Sequence, residues 1–388
     1  MENHKSFIKG ALCGALVTLL IAAVLLAPRL MGGKVVTADT EYKLEMIRHL
    51  IEKEYLYEDE IDETQLQELL MKGYVAGLGD PYSVYYTEEE TKKLMEMTTG
   101  EFVGIGAVLS QDKVTGQVTL RELYEDSPAE EAGLLEGDIF YKVDGEDVTG
   151  LDLDTIVSKI RGEKGTTVEI TVLRGESREE YSCTAKRDTV VSKTVAYEMK
   201  ENQIGYIYVS GFEQVTGSQF EEALNHLNEQ GMQAVIIDLR ENPGGNLSTV
   251  CDMLDLILPE GRIVSTKDKN GKEEVIYSDE ERKVSLPMAV LINGNSASAS
   301  EIFAGAVKDY GIGTLVGTKT YGKGIVQNVF RLNDGTSLKL TVSEYCTPNG
   351  NHIHGIGVEP DIVVEYEYDE TNPERDNQLE AAMEALQK

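Results

Sequence analysis

Three stretches of this chain carry side chains whose types and spacing could do chemistry. The first is Ser296-Ala297-Ser298-Ala299-Ser300-Glu301, which runs straight into Ile302, Phe303, Ala306, Val307 and Tyr310 at helical spacing. Ser298 and Glu301 stand in the capping-box relation, which predicts Ser298 at a helix N-terminus. There, unbonded amides and the positive end of the helix dipole would stabilise an oxyanion before any side chain contributed. Serine is common at helix starts, so this stretch alone reads equally well as an ordinary cap. The second is Gly322-Lys323-Gly324, with Lys323 25 residues after Ser298. A lysine flanked by glycines in an apolar setting can be drawn into a dry pocket, where the charged form is disfavoured and the amine becomes a base for a serine hydroxyl. A solvated surface charge is the commoner fate of a single lysine. The third is Asn242-Pro243-Gly244-Gly245, whose paired glycines free main-chain amides to point into a cleft.

Competing nucleophiles and bases narrow on inspection. Ser296 and Ser300 flank Ser298, but the capping geometry selects Ser298. A Ser/His/Asp triad would need one of His4, His49, His226, His352 or His354, of which only the last two fall in a loop near the end of the core. Asp309 lies eleven residues beyond Ser298 on the same predicted helix, roughly 16 Å along its axis, and is read as structural.

These stretches need a scaffold, and residues 189–366 supply one. Ile204–Ser210 reads as a strand, 218–230 as a helix, Ala234–Ile237 as a buried strand and Met288–Ile292 as another, which predicts an α/β layered core. Residues 99–188 change to short β runs with Gly turns, including Ala107–Leu109, Val118–Leu120 and Thr167–Val172, with one helix carrying Leu153, Ile156, Val157 and Ile160 on a face. Residues 39–98 are predicted helical: Leu44, Ile47, Ile51 and Tyr55 share a face, Thr64 and Gln67 form a capping box for a second helix, and Thr87 with Glu90 caps a third. Gly79-Asp80-Pro81-Tyr82 breaks the pattern between the last two. Residues 367–388 place Leu379, Ala382, Met383 and Leu386 at helical spacing, suited to a dimer interface or to packing within the chain.

The remaining segment, 1–38, holds nineteen uncharged residues from Gly10 to Pro28, a helical span of roughly 28 Å, close to a hydrocarbon core. It reads as a cytoplasmic stub with a single transmembrane signal anchor, Val36-Thr37-Ala38 being the place where cleavage would release the rest. Lys5 and Lys9 before the span and Arg29 and Lys34 after it barely decide the orientation. The 68 acidic against 36 basic side chains argue against nucleic acid as a partner. Four cysteines without a CxxC pair suggest neither a metal site nor a disulfide framework, and no cofactor motif is present.

Two resemblances follow from these residues. Gly104-Ile105-Gly106, Ser127-Pro128-Ala129-Glu130-Glu131-Ala132-Gly133-Leu134 and Gly137-Asp138 resemble a PDZ domain of the bacterial protease type. Such a domain adds a ligand's last residues as a strand at Ala107–Ser110, with the Gly104, Ile105 and Gly106 turn on the terminal carboxylate. The Ser-Ala-Ser-Ala-Ser-Glu run, Gly-Lys-Gly-x-x-Gln, Asn-Pro-Gly-Gly, Gly357-Val358-Glu359-Pro360-Asp361 and Gly79-Asp80-Pro81-Tyr82-Ser83 resemble the carboxyl-terminal processing peptidases. That resemblance implies a core fold like that of crotonase and the Clp proteases, with Ser298 as nucleophile, Lys323 as base and Gln327 orienting the lysine. It implies an oxyanion hole from the amides of Gly244 or Gly245 and of Ala299, and for Arg161 a part in sensing bound substrate. It further implies protein substrates with accessible apolar C-termini, a regulatory partner protein, a homodimer and a catalytic part outside the cytoplasmic membrane. A PDZ scaffold with an inactive core is the competing reading, disfavoured because a pure binding module has no use for a buried lysine.

Overall fold

The structure is a computed structural model that describes residues 36–279, 281 and 284–387. The predicted anchor Gly10–Pro28, Cys13 and His4 lie outside the described residues, among which no helix is long and apolar enough to cross a membrane. The chain divides into two compact units, one ending at Leu69 and one beginning at Leu70.

In the first unit the helix Ala38–Glu54 is capped by Thr37, whose hydroxyl accepts the Thr40 N–H at 3.2 Å. Tyr42, Met46, Ile47 and Leu50 on this helix are exposed. The next helix, Glu63–Ala76, starts one residue earlier than the sequence suggests, because Asp62 caps it by accepting the Gln65 N–H at 3.1 Å. Asp is the stronger cap, so Thr64 is drawn into the first turn and the Thr64–Gln67 box does not form. The third helix, Glu88–Thr99, which belongs to the second unit, does carry its box: Thr87 N–H donates to Glu90 at 2.9 Å and Glu90 N–H to Thr87 Oγ1 at 3.3 Å.

The second unit is built around a six-stranded sheet in the order Val195–Lys200, Ile204–Val209, Ala234–Asp238, Met288–Ile292, Thr314–Gly317, Ile362–Val363. The first strand is antiparallel to its neighbour and the other five run parallel, which requires helical crossovers. Ala234–Asp238 and Met288–Ile292 are buried at every position, as expected of strands covered on both faces. Helices Thr216–Glu229, Leu247–Asp255 and Ala299–Tyr310 cover one face through Phe220, Leu224, Leu254, Phe303 and Val307. The C-terminal helix Asn377–Ala385 covers the other, with Ala382 fully buried against Ile236, Ala289 and Leu291 and with Leu379 and Met383 packed beside it. Its apolar stripe is occupied by the chain's own sheet, the second of the two readings open to it from the sequence, packing within the chain. Arg240 anchors it further by pairing with both Asp238 at 2.5 Å and Asp376 at 2.7 Å.

A five-stranded antiparallel sheet stands beside this core: Val84–Tyr86, Ser337–Cys346, Gly261–Asp268 and Glu273–Ser278, with Ile325–Arg331 on the other edge of Ser337–Cys346. The β-rich insert has its own core around Leu120, Ile156, Ile170 and Val172. The chain enters it along Glu101–Gly104 and leaves along Asp188–Val191, and these two strands pair with each other. The helix Leu153–Ile160 lies where the sequence puts it.

Candidate active site

Two neighbouring parallel strands of the core, Ala234–Asp238 and Met288–Ile292, end in the two glycine- and serine-rich loops. In open α/β sheets, sites form beyond the carboxyl ends of the strands. A cleft of about 520 Å³ opens there, bordered by Gly244, Gly245, Ser298, Ala299, Lys323 and Gln327.

The three serines of the cluster have different fates. The hydroxyl of Ser296 is fully buried and donates to the Leu239 carbonyl at 2.7 Å. That of Ser300, equally buried, donates to the Asn242 carbonyl at 2.9 Å. Both tie the serine loop to the loop before Gly244. Ser298 borders the cleft, and its hydroxyl donates to no group among the described residues, while its oxygen stands toward the Glu301 N–H in a capping box. It sits at the start of the helix Ala299–Tyr310 with φ +55° and ψ −112°, a conformation disfavoured for any residue with a Cβ.

The carboxylate of Glu301 holds this turn in place and does more than cap. It is fully buried and accepts four hydrogen bonds: from Ser298 N–H at 2.9 Å, Lys323 N–H at 2.7 Å, Gly322 N–H at 2.7 Å and the Thr320 hydroxyl at 2.6 Å. One side chain thus fixes the main chain of both the serine and the lysine. The buried Tyr345 repeats the clamp, its hydroxyl lying 2.9 Å from the Ser298 carbonyl and 2.7 Å from the Lys323 carbonyl. Burial, with the Glu301 charge next, pushes that phenol well above its ordinary pKa, so it stays a donor.

Lys323 is half-buried, and its amine forms neither a hydrogen bond nor an ion pair among the described residues. It rests 4.6 Å from the centre of the Tyr82 ring. Burial first, and then the like charge of Lys339, lowers its pKa below the ordinary lysine value, against the opposing pull of Asp80 and Glu301. Gln327 borders the same cleft, but its amide donates to Thr341 Oγ1 at 3.3 Å rather than touching Lys323. The register of Ile325–Arg331 on its partner strand shifts at Val326/Gln327, skipping Val342, and this bulge sets where the Gln327 side chain points.

Asn242 shapes the glycine loop. It is fully buried, donates to the Val209 carbonyl at 2.8 Å and accepts the Gly244 N–H at 2.8 Å. That leaves the amides of Gly245 and Ala299, both bordering the cleft, without a partner among the described residues. Gly244 lies so close to the serine turn that a Cβ there would sit 2.8 Å from Ser298 Cβ and 2.7 Å from the Ala297 carbonyl oxygen. None of the described histidines borders the cleft. Asp309 bonds the Asn349 N–H at 2.8 Å, a structural tie.

A second groove, of about 190 Å³, lies in the insert between Ala107–Gln111 and the helix Leu153–Ile160. Gly104, Ile105, Gly106, Ala107 and Arg161 all border it. The amides of Ile105 and Gly106 have no partner among the described residues, whereas their carbonyls accept from Ala129 and Tyr124. Arg161 reaches out of the groove to Glu96 at 2.7 Å and lies over the Phe102 ring. Glu96 belongs to the helix Glu88–Thr99, whose Met97 and Thr98 border the cleft that holds Ser298 and Lys323. Sequence reasoning missed Glu301 as a hub, Asn242, Tyr345 and Tyr82. Glu301, Asn242 and Tyr82 lie inside quoted motifs whose sequence does not show these contacts, and Tyr345 sits in an ordinary strand and carries no signal.

Comparison with known proteins agrees with this geometry. The Peptidase family S41 profile matches residues 203–364, and a PDZ domain profile matches residues 120–174. The chain is 38% identical over 325 residues to a Staphylococcus epidermidis protein described as a probable CtpA-like serine protease, covering 83% of this chain and 65% of that one. It is 32% identical over 363 residues to a Staphylococcus aureus protein of the same description, covering 93% and 72%. The chain thus spans about 65% of the length of the Staphylococcus epidermidis relatives. A solved structure of a candidate S41 protease from Bacteroides fragilis matches with a TM-score of 0.52 at 18% identity, over 88% of this chain and 97% of that one, a likeness of fold alone. The chain belongs to peptidase family S41.

Proposed function

We propose that this protein is a serine endopeptidase in which Ser298 is the nucleophile and Lys323 the general base. The observation that carries the reading is that Ser298, whose hydroxyl alone in its cluster donates to no carbonyl, borders the same cleft as a half-buried amine without an acidic partner among the described residues. In its neutral form Lys323 takes the Ser298 proton as the oxygen attacks a peptide carbonyl, and the resulting ammonium returns that proton to the leaving amine. The oxyanion is met by the amides of Gly245 and Ala299, with Gly244 holding its neighbour in place rather than donating. Gln327 orients the lysine once its bond to Thr341 is exchanged.

The PDZ groove captures the C-terminal residues of a protein substrate, its carboxylate on the amides of Ile105 and Gly106 and its last residues along Ala107. Arg161 carries occupancy of that groove to the cleft through Glu96. The finer readings are cleavage of exported proteins near apolar C-termini, attachment to the membrane outer face through Gly10–Pro28, control by a partner protein, and a homodimer made by the exposed face of Ala38–Glu54. The decisive experiment is digestion of casein by the full chain. Hydrolysis by wild type and none by Ser298→Ala or Lys323→Ala is expected; undiminished turnover by either variant would refute the assignment.

A further inference from the structure

Of the described side chains that border the cleft holding Ser298, three carry an ordinary acidic or basic charge: Lys323, Lys339 and Glu213. Glu213 is engaged, its carboxylate accepting the Thr216 hydroxyl at 3.1 Å. Lys323 serves as a base only once it has lost its proton. Lys339 is therefore the standing cation of the working cleft, in a chain whose 68 acidic side chains outnumber 36 basic ones. Other lysines of this chain have carboxylate partners, as in Lys72–Glu90, Lys308–Asp361 and Lys319–Glu359. The Lys339 amine forms neither a hydrogen bond nor an ion pair among the described residues, and it rests 5.3 Å from the centre of the Tyr86 ring.

The sheet fixes where this ammonium starts from. Lys339 is paired on both sides, with Val329 on one and Val84 on the other. Thr341, two residues on, stands opposite Gln327 and accepts its amide at 3.3 Å. Side chains alternate along a strand, so Lys339 leaves the sheet on the face that carries Thr341 and Gln327, about 7 Å along from them. Gln327 borders the same cleft, so the two point into one space. The Lys339 charge also reaches the base: the pKa of Lys323 is lowered by burial first and by Lys339 next. A part-buried cation set among substrate contacts, with no carboxylate of the protein beside it, is placed to pair with one that the substrate brings.

We propose that Lys339 is a specificity-determining residue: its ammonium pairs with the side-chain carboxylate of an Asp or Glu within about three residues of the scissile bond, so that acidic stretches of a substrate are cut in preference to neutral or basic ones. The proposal rests on the catalytic reading of Ser298 and Lys323. A terminal carboxylate offers the same charge from a different source, and the test separates the two.

The test uses the full chain and casein. A cut made by wild type and not by Ser298→Ala is mapped by mass spectrometry, and a ten-residue peptide spanning it is made with an amidated C-terminus and with its own acidic residues replaced by their amides. Glu, Gln or Lys is then placed in turn at each of the three positions on either side of the cut. The expected result is a position at which wild type cleaves the Glu peptide at least about threefold better than the Lys peptide by kcat/KM, at which Lys339→Gln loses that preference and Lys339→Glu inverts it. Because the ratio is read within one variant, changes in folding or in the basicity of Lys323 cancel. Indifference of wild type to charge at every position, or a preference that persists in both variants, overturns the proposal while leaving the catalytic assignment standing. A preference for acid that appears only when the peptide's C-terminus is left as the free carboxylate overturns the side-chain reading. Casein left intact by wild type overturns the catalytic reading and this proposal with it.

Discussion

Replacing Ser298 by glycine should make the protein more stable than replacing it by alanine, although both changes abolish hydrolysis. At φ +55° and ψ −112° a Cβ is held in a sterically poor region, a strain of order 1–3 kcal/mol that glycine does not feel. The hydrogen bonds that impose this conformation all use main-chain groups: Ser298 N–H to Glu301, Ser298 carbonyl from Tyr345, and Ala297 N–H to the Asn242 carbonyl. They survive either substitution, and because both variants lose the hydroxyl its own contacts cancel from the comparison. Glycine also frees the unfolded chain, which offsets about 0.4–1 kcal/mol. The balance is about 0.5–2 kcal/mol in favour of Ser298→Gly. At about 2–4 °C per kcal/mol for a body of this size, its melting point should lie roughly 1–8 °C above that of Ser298→Ala by differential scanning calorimetry. Equal or reversed melting points would show that the turn is not strained and that the nucleophile is held by something other than these bonds.

The buried Glu301 carboxylate cannot be replaced by an amide without turning a donor toward two of its four donors, so Glu301→Gln should lose about 2–6 kcal/mol in urea denaturation together with casein hydrolysis; a loss below about 0.5 kcal/mol would contradict the hub. Gly244→Ala forces a methyl to within 2.8 Å of Ser298 Cβ at φ +104° and should cut turnover on the order of a hundredfold or more, measured on the same substrate. Lys323 is active when neutral, so the wild-type rate should rise with pH through a pKa below the ordinary 10.5; a rise no earlier than 10.5 would deny the lysine its role. Because the folded state holds that proton less firmly than the unfolded chain, stability should also climb with pH between the depressed pKa and 10.5, and Lys323→Met should flatten that climb in denaturation curves taken across the range.

The elements with strong patterning were legible: Met288–Ile292 and Leu153–Ile160 appear where a continuous apolar run and helical spacing put them. What sequence could not fix was competition between neighbours. Asp62 outranks Thr64 as a cap, a contest visible only once both lie near the same helix start. The serine cluster offered three hydroxyls of like chemistry, and two of them are consumed by carbonyls at Leu239 and Asn242, which lie more than fifty residues away in the chain. Likewise the choice between Gly244 and Gly245 is made by Asn242, which uses the first amide itself. Contacts of that range depend on which strands are adjacent, and adjacency in a parallel sheet is set by crossovers rather than by local pattern.

The contact between Lys323 and Tyr82 bears on how the base is released. An ammonium 4.6 Å from a ring centre gains about 0.5–2 kcal/mol from the ring's quadrupole, and a neutral amine gains little. The same proton that keeps Lys323 from acting as a base therefore also holds its amine against the ring. Asp80 and Glu301 strengthen that hold, while burial and Lys339 weaken it, so the charged and neutral forms are brought nearer in free energy than on a solvated lysine. When the proton leaves, the attraction to Tyr82 leaves with it, and the hydroxyl of the serine cluster that donates to no carbonyl is that of Ser298, bordering the same cleft. On the proposed roles, loss of the proton would also release the amine from the Tyr82 ring, because a single charge governs both.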